Sequence, residues 1–309
     1  DFNQHLSIEH LIKILSDPCV DDEVNLDFIG TAGDPIAHPK FLEILKVVKE
    51  LKPNSYLNIH TNGGLKNPKY FTDLAEILSH WEYRYRIRFS IDGLEDTNHI
   101  YRIGVEWARV MDNLHAFINA GGRPTWQMVI FPWNEHQVEE VRKYAEEIGC
   151  RSFDTRHNIS DHGVKDLMEK SKTKFHKTEF LPEQYQFYED NFHKNLQDTI
   201  NNYEYIDDQC VSTEGYVYPC CMFSSASYAL DQKALLENAY FDSYEAGWNE
   251  LGTHNLSEIM DHQWWTDLKI GLDNNKPCDL CILECGASKD ESAHYDIDET
   301  FLEFGNDTI

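Results

Sequence analysis

The chain has 309 residues, 41% of them hydrophobic, and a net charge of −27 from 54 acidic against 27 basic side chains. That length and apolar share suit one large domain or two smaller ones and exclude a disordered polymer, while the negative balance repels nucleic acid. No apolar run is long enough to span a bilayer, and the opening DFNQHLSIEH has neither the basic start nor the apolar stretch of a secretory signal. A cytoplasmic protein without a membrane partner is therefore expected.

The first predicted element is a helix from Ser7 to Leu15, with Ile8, Leu11, Ile12 and Leu15 apolar. VNLDFIG (24–30) reads as a strand, and PKFLEILKVVKEL (39–51) carries a helical stripe of Phe41, Ile44, Leu45, Val48 and Leu51. SYLNIHTNG (55–63) is the next strand and turn. Pro68 suits a first helical turn, and Tyr70, Phe71, Leu74, Ile77, Leu78 and Trp81 form the stripe that follows. RYRIRFSIDG (84–93) alternates as a strand. Val105–Gly121 is predicted helical, with Trp107, Met111, Leu114 and Ile118 on one face and a glycine pair at its end. TWQMVIFPWN (125–134) is a strand, Val138, Val141, Ala145 and Ile148 mark a helix, and CRSFDTRHN (150–158) a further strand. Residues 159–205 read as a polar connector with a bridging helix, 206–290 as a cysteine-rich unit, and 291–309 as an acidic tail.

Repeated strand–helix pairs predict parallel strands with right-handed crossovers, either an open sheet or a closed or partial barrel. In both, ligands gather at the C-terminal strand ends. GTAGDP (30–35), HTNGG (60–64), SIDG (90–93) and FPWNE (131–135) all fall at that edge. In the strand at 84–91, Tyr85, Ile87, Phe89 and Ile91 share one face and Arg84, Arg86, Arg88 and Ser90 the other. A guanidinium fork suits a carboxylate or phosphate, so Arg86 and Arg88 are candidates for an anionic substrate; a solvated edge strand is the bland counterpart.

Of eight cysteines, Cys19 and Cys150 stand apart, while Cys210, Cys220, Cys221, Cys278, Cys281 and Cys285 cluster late in the chain. Such a distribution favours metal or cofactor ligation in a reducing compartment over a disulfide scaffold. Four thiolates satisfy tetrahedral zinc or a [4Fe–4S] cluster equally.

FIGTAGDPIAHPKFLEIL, NIHTNGG, RFSIDGLEDTNHIYRIGVEWARVMDNLHAFINAGG and VIFPWNEHQVEEVRKYAEEIGC together resemble the body of a radical SAM enzyme. CVSTEGYVYPCC, NLSEIMDHQWWTDLK and CDLCILEC resemble the SPASM or twitch auxiliary-cluster domain attached to many of them. The resemblance implies an α/β fold, a partial (β/α)6 TIM-like barrel over residues 1–158 without its first strand, followed by a small α+β auxiliary domain over 206–290. It implies S-adenosylmethionine as cofactor, a 5′-deoxyadenosyl radical that abstracts a substrate hydrogen, and an electron donor such as ferredoxin or flavodoxin. Carried over by position, Gly30, Gly33 and Asp34 match the motif that holds the methionine amino group, reading G-D-P where G-E-P is usual. Asn62, Ser90, Asp92, Arg102 and Asn134 match further positions around S-adenosylmethionine. The G-x4-C spacing from Gly215 to Cys220 favours Cys220 over Cys221, so the resemblance implies one auxiliary [4Fe–4S] cluster on Cys210, Cys220, Cys278 and Cys281, with Cys221 and Cys285 as alternates.

The family's CxxxCxxC loop occurs nowhere in the sequence. The expectation is that this loop, with a second [4Fe–4S] cluster and the first strand, precedes Asp1, and that the chain alone does not cleave S-adenosylmethionine. A peptide or a small polar molecule is the expected substrate. The competing reading is a degenerate, non-catalytic barrel that binds a ligand and carries a structural zinc or iron–sulfur site.

Overall fold

The computed structural model describes residues 5–29, 33–157, 209–212, 214–219, 247–273 and 302–303. Two units emerge, one of Asp22–Phe180 with Asp296–Ile309, the other of Asp1–Asp21 with Leu181–Tyr295. The connector at 159–205 and Cys220, Cys221, Cys278, Cys281 and Cys285 lie outside the described residues.

The first unit alternates strands and helices in the expected order. Its strands are β1 (Asn25–Phe28), β2 (Tyr56–Thr61), β3 (Tyr85–Ser90), β4 (Thr125–Ile130) and β5 (Ser152–His157). They pair in parallel and in sequence order. The connecting helices are α2 (Phe41–Leu51), α3 (Pro68–Leu78), the short α4 (Asn98–Tyr101), α5 (Trp107–Asn119) and α6 (Val138–Ile148). Five parallel strands with helical crossovers fit a partial TIM-like architecture. Leu302–Glu303, here called β8, adds an antiparallel edge against Ser152 and Phe153.

Local chemistry sets the helix ends. Asn67 accepts from the Tyr70 N–H and Pro68 occupies the first turn of α3. Gly149 closes α6 in the left-handed conformation. The packed stripe of α2 is Phe41, Ile44, Leu45 and Val48, and Leu51, predicted as its last member, is only half-buried. In α5 the buried face is Val110, Met111, Asn113, Leu114 and Phe117, with Trp107 and Ile118 only at its margin. Phe117 decides this rotation. Gly122 passes so close to its ring that a Cβ there would lie 2.3 Å away.

The two faces of the sheet differ sharply. Leu57, Ile59, Tyr85, Ile87, Phe89, Trp126, Met128 and Phe153 are buried on one face. The opposite face carries Asn58, His60, Arg86, Arg88, Ser90, Thr125, Gln127, Ser152, Asp154 and Arg156, as the period of two requires.

In the second unit, α1 (Ile8–Leu15) is capped by the Ser7 hydroxyl, which accepts from the His10 N–H. Leu11 and Leu15 are buried, whereas Ile12 is exposed, so the helix presents a narrower stripe than the sequence predicts. β6 (Cys210–Val211) and β7 (Val217–Tyr218) form an antiparallel pair. α7 (Leu256–Met260) begins with a capping box between Asn255 and Glu258, and α8 (Gln263–Asp273) follows. Trp248, Trp264 and Trp265 pack together with Tyr218, Leu251 and Ile259, and Ile14 and Val20 reach the same cluster. Lys13 donates to the Leu251 carbonyl at 2.8 Å. Among the described residues no helix is long and apolar enough to cross a membrane.

Candidate functional site

The site grows from the C-terminal ends of β1 to β4. Asp34, just past β1, begins a 3-10 turn at Pro35–Ala37; its Oδ1 accepts from the Ile36 N–H at 3.0 Å. Its Oδ2 accepts from the Thr61 hydroxyl at 2.9 Å and the Asn62 N–H at 2.8 Å. Asp34 therefore fastens the tip of β1 to the tip of β2. Burial pushes its carboxyl up, while the Asn62 and Ile36 N–H groups, Thr61 and the Arg102 charge pull it back. A carboxylate has about four acceptor positions, so three bonds leave room for one more donor. Gly33 faces open space, and Gly30 lies outside the described residues.

Asn62 Oδ1 accepts from the Gly64 N–H at 2.8 Å, an arrangement that leaves the Nδ2 donor outside the loop's own bonds. Asn113 of α5 steadies the same loop by donating to the Gly63 and Leu65 carbonyls at 2.8 and 3.1 Å. Sequence reasoning missed Asn113, because an isolated amide in an amphipathic helix carries no pattern.

At the tip of β3 the structure separates residues that sequence reasoning grouped. Ser90 is half-buried on the polar face, in register with Gln127. Asp92 is fully buried. Its Oδ2 accepts from Arg102 Nε at 2.6 Å and its Oδ1 from the Val129 N–H at 2.7 Å. Burial pushes its carboxyl up, and Arg102 and the Val129 N–H oppose the rise. Asn134 is likewise fully buried, donating to the Asp92 and Val129 carbonyls at 3.1 and 2.9 Å and accepting from the Phe131 N–H at 2.7 Å. Asp92 and Asn134 therefore act on the tips from within, and Arg102 is the member of the trio that reaches solvent. Its guanidinium also sits 4.9 Å over Tyr101. Gly93 completes this tip at φ +116°, where a Cβ would meet Thr97 Oγ1 at 2.0 Å.

Below the tips, Arg88 is buried and donates to Asn58 Oδ1 and to His60 Nε2, the latter at 3.0 Å; its Nε lies 3.8 Å from Asp154. Burial and the charges of Arg88, Arg156 and Arg86 push the His60 imidazolium pKa down to about 4. Three guanidiniums therefore surround one neutral ring. His60, Asn58, Gln127, Asp154 and Arg156 escaped the sequence reading. Only strand register brings them beside Arg86 and Arg88.

In the second unit Cys210, at the start of β6, is a half-buried cysteine packed against the tryptophan cluster. Gly215 turns the hairpin at φ +90°, and a Cβ there would meet the His10 ring at 2.8 Å. Cys19 is exposed, and Cys150 is buried with its thiol pushed up to about 12, which makes it inert at neutral pH. Among the described residues no group of three His, Cys, Asp or Glu side chains could hold a metal ion.

No family model matches the sequence. The fold is shared with a solved structure described as tagged anSMEcpe with bound AdoMet, a radical SAM enzyme. That likeness has a TM-score of 0.50 and 16% identity, and covers 93% of this chain and 78% of that one. SuiB of Streptococcus suis overlays at a TM-score of 0.45 and 15% identity, over 76% of this chain and 58% of that one. In sequence, the chain is 30% identical over 110 residues to the tungsten-containing aldehyde ferredoxin oxidoreductase cofactor-modifying protein of Pyrococcus furiosus. That match takes in 33% of this chain and 29% of that protein, so the chain spans less than a third of this curated relative. The radical SAM resemblance carried by the motifs thus holds at the level of the fold.

Proposed function

We propose that the chain is the strand–helix body and cysteine-rich unit of a radical SAM oxidoreductase or modifying enzyme acting on a peptide or a small polar substrate. The observation that supports this reading is the bond from the Asn62 N–H at the β2 tip to Asp34 past the β1 tip, with Ser90 ending the adjacent β3 and Arg102, after α4, close enough for its charge to act on Asp34. The complementary chemistry supports it. Asp34 retains one acceptor position for an ammonium, Asn62 Nδ2 and the Ser90 hydroxyl can each donate, and Arg102 offers guanidinium N–H groups to a carboxylate. An α-amino acid moiety such as that of S-adenosylmethionine needs this set. When bound, that cofactor supplies hydrogen-atom abstraction from an unactivated C–H bond. Asp92 fixes Arg102, so that donor need not reorganise on binding.

Cys210, Cys220, Cys278 and Cys281, with Cys221 and Cys285 as alternates, are proposed as ligands of an auxiliary [4Fe–4S] cluster. The half-buried place of Cys210 on the hairpin, beside the apolar core of its unit, supports this. An electron donor such as ferredoxin or flavodoxin and a cytoplasmic location belong to the same proposal.

The test is iron and sulfide analysis of the anaerobically prepared native-length protein, followed by assay for 5′-deoxyadenosine with dithionite and S-adenosylmethionine. About eight iron and eight sulfide per chain with 5′-deoxyadenosine formed is the expected result. Stoichiometric zinc without sulfide, or about four iron with no cleavage, would replace the enzyme with a ligand-binding barrel.

A further inference from the structure

The polar face of the sheet contains a buried donor without an acceptor. Gln127 is 6% exposed, yet its Nε2 has no hydrogen-bond partner among the described residues. Leaving such an amide unsatisfied costs roughly 1–3 kcal/mol, so its retention calls for an explanation. Its surroundings supply one. Ser90 and Asp154 flank it in register, Arg88 lies one pleat below on β3, and Arg156 one pleat above on β5. Neighbouring strands are about 4.8 Å apart, so these side chains share a single patch.

The charge of that patch runs against the rest of the molecule. In a chain of net charge −27, the described polar face of β1 to β5 presents Arg86, Arg88 and Arg156 against two carboxylates, Asp154 beside Gln127 and Asp27 three strands away on β1. Asp154 is paired with Arg88. His60 remains neutral and accepts from Arg88, so it adds no charge to the patch. Arg156 is exposed. The groups facing outward are thus predominantly donors, and a ligand that satisfies them must bring acceptor oxygens.

We propose that Gln127 and Arg156, backed by the Arg88–Asp154 pair, form an oxyanion subsite on the polar face, and that the substrate carries a carboxylate or phosphate group there. A neutral peptide segment could satisfy Gln127 but brings no charge to the exposed Arg156 guanidinium. An oxyanion satisfies both. The word substrate rests on the radical SAM reading above. The subsite itself does not, because it uses none of Asp34, Asn62 or Arg102.

Isothermal titration of the purified 309-residue chain with malonate and, separately, with inorganic phosphate tests this without cofactor or cluster, so its failure and that of the enzyme reading are distinguishable. Saturable 1:1 binding of at least one probe is expected, and which of the two binds assigns the group as carboxylate or phosphate. Gln127→Leu and Arg156→Gln should each weaken binding roughly tenfold. Gln127→Leu should leave the thermal midpoint equal or higher, because it removes an orphaned donor in a nearly isosteric change. Arg142→Gln, on α6, should leave binding unchanged. Absence of saturable binding by both probes would overturn the proposal. So would a destabilised Gln127→Leu, which would make that residue a structural one, or an equal loss in Arg142→Gln, which would reduce the effect to net charge.

Discussion

Arg88 Nη1 lies 3.0 Å from His60 Nε2, and this contact fixes the tautomer of the imidazole. A guanidinium only donates, so Nε2 must accept and the ring proton resides on Nδ1. The strand pairing that sets His60 opposite Arg88 thereby also sets a protonation state.

Stability should follow that state. His60 is held near pKa 4 in the fold against an ordinary 6.5. Between those values the unfolded chain binds a proton that the folded chain refuses, so stability falls as pH drops from about 6.5 to about 4. The loss should be on the order of 3 kcal/mol. Urea midpoints measured across that range check it, and His60→Asn should flatten the slope.

Asp92 and Arg102 form the second dependable pair. Asp92→Ala removes the acceptor of both Arg102 Nε and the buried Val129 N–H, and should cost about 3–5 kcal/mol. Asp92→Asn retains an acceptor for Val129 and should cost less. Denaturant unfolding of the two variants separates the ion pair from the backbone bond.

Asp17 makes the equivalent test in the other unit. Burial opposes its charge, but hydrogen bonds from the Ser257 hydroxyl, the Cys19 N–H and the Ser257 N–H outweigh that cost and lower its pKa from 3.8 to about 2. A depressed carboxyl gives stability that is complete above the unfolded value and is lost as pH falls from about 4 to 2. Asp17→Ala strips the Ser257 N–H at the start of α7 of its acceptor and should cost about 1–2 kcal/mol at neutral pH. Acid unfolding followed by circular dichroism should show the mutant insensitive over that window.

Gly215→Ala should destabilise the hairpin by roughly 1–2 kcal/mol for the left-handed backbone alone, and by more for the contact with His10. A double-mutant cycle with His10→Ala separates the two, since only the steric part is relieved. Thermal midpoints of the four proteins give the answer.

The sequence exposes what depends on period. Tyr85, Ile87 and Phe89 alternate with Arg86, Arg88 and Ser90, and both faces follow from that alternation alone. Asn67-Pro68 and Gly149 likewise announce helix ends through local backbone chemistry. Residues whose role depends on register stay hidden. Gln127 and Arg156 belong to different strands with a whole helix between them, and nothing local relates them. Asn134 shows the complementary limit: its position at a strand tip is legible, but the three bonds that engage its amide inside the fold are tertiary.

The mutual packing of Trp248, Trp264 and Trp265 has a spectroscopic consequence. Their indole rings lie 5.2 to 6.3 Å apart and tilted to one another, close enough for their electronic transitions to couple. Trp248 also stacks on His262 at 4.4 Å. The second unit thus adds an exciton contribution of its own to that of Trp107 and Trp126 in the parallel-sheet unit, whose rings lie 6.2 Å apart. Near-ultraviolet circular dichroism of Trp248→Phe should lose the contribution of the second unit and keep that of the sheet.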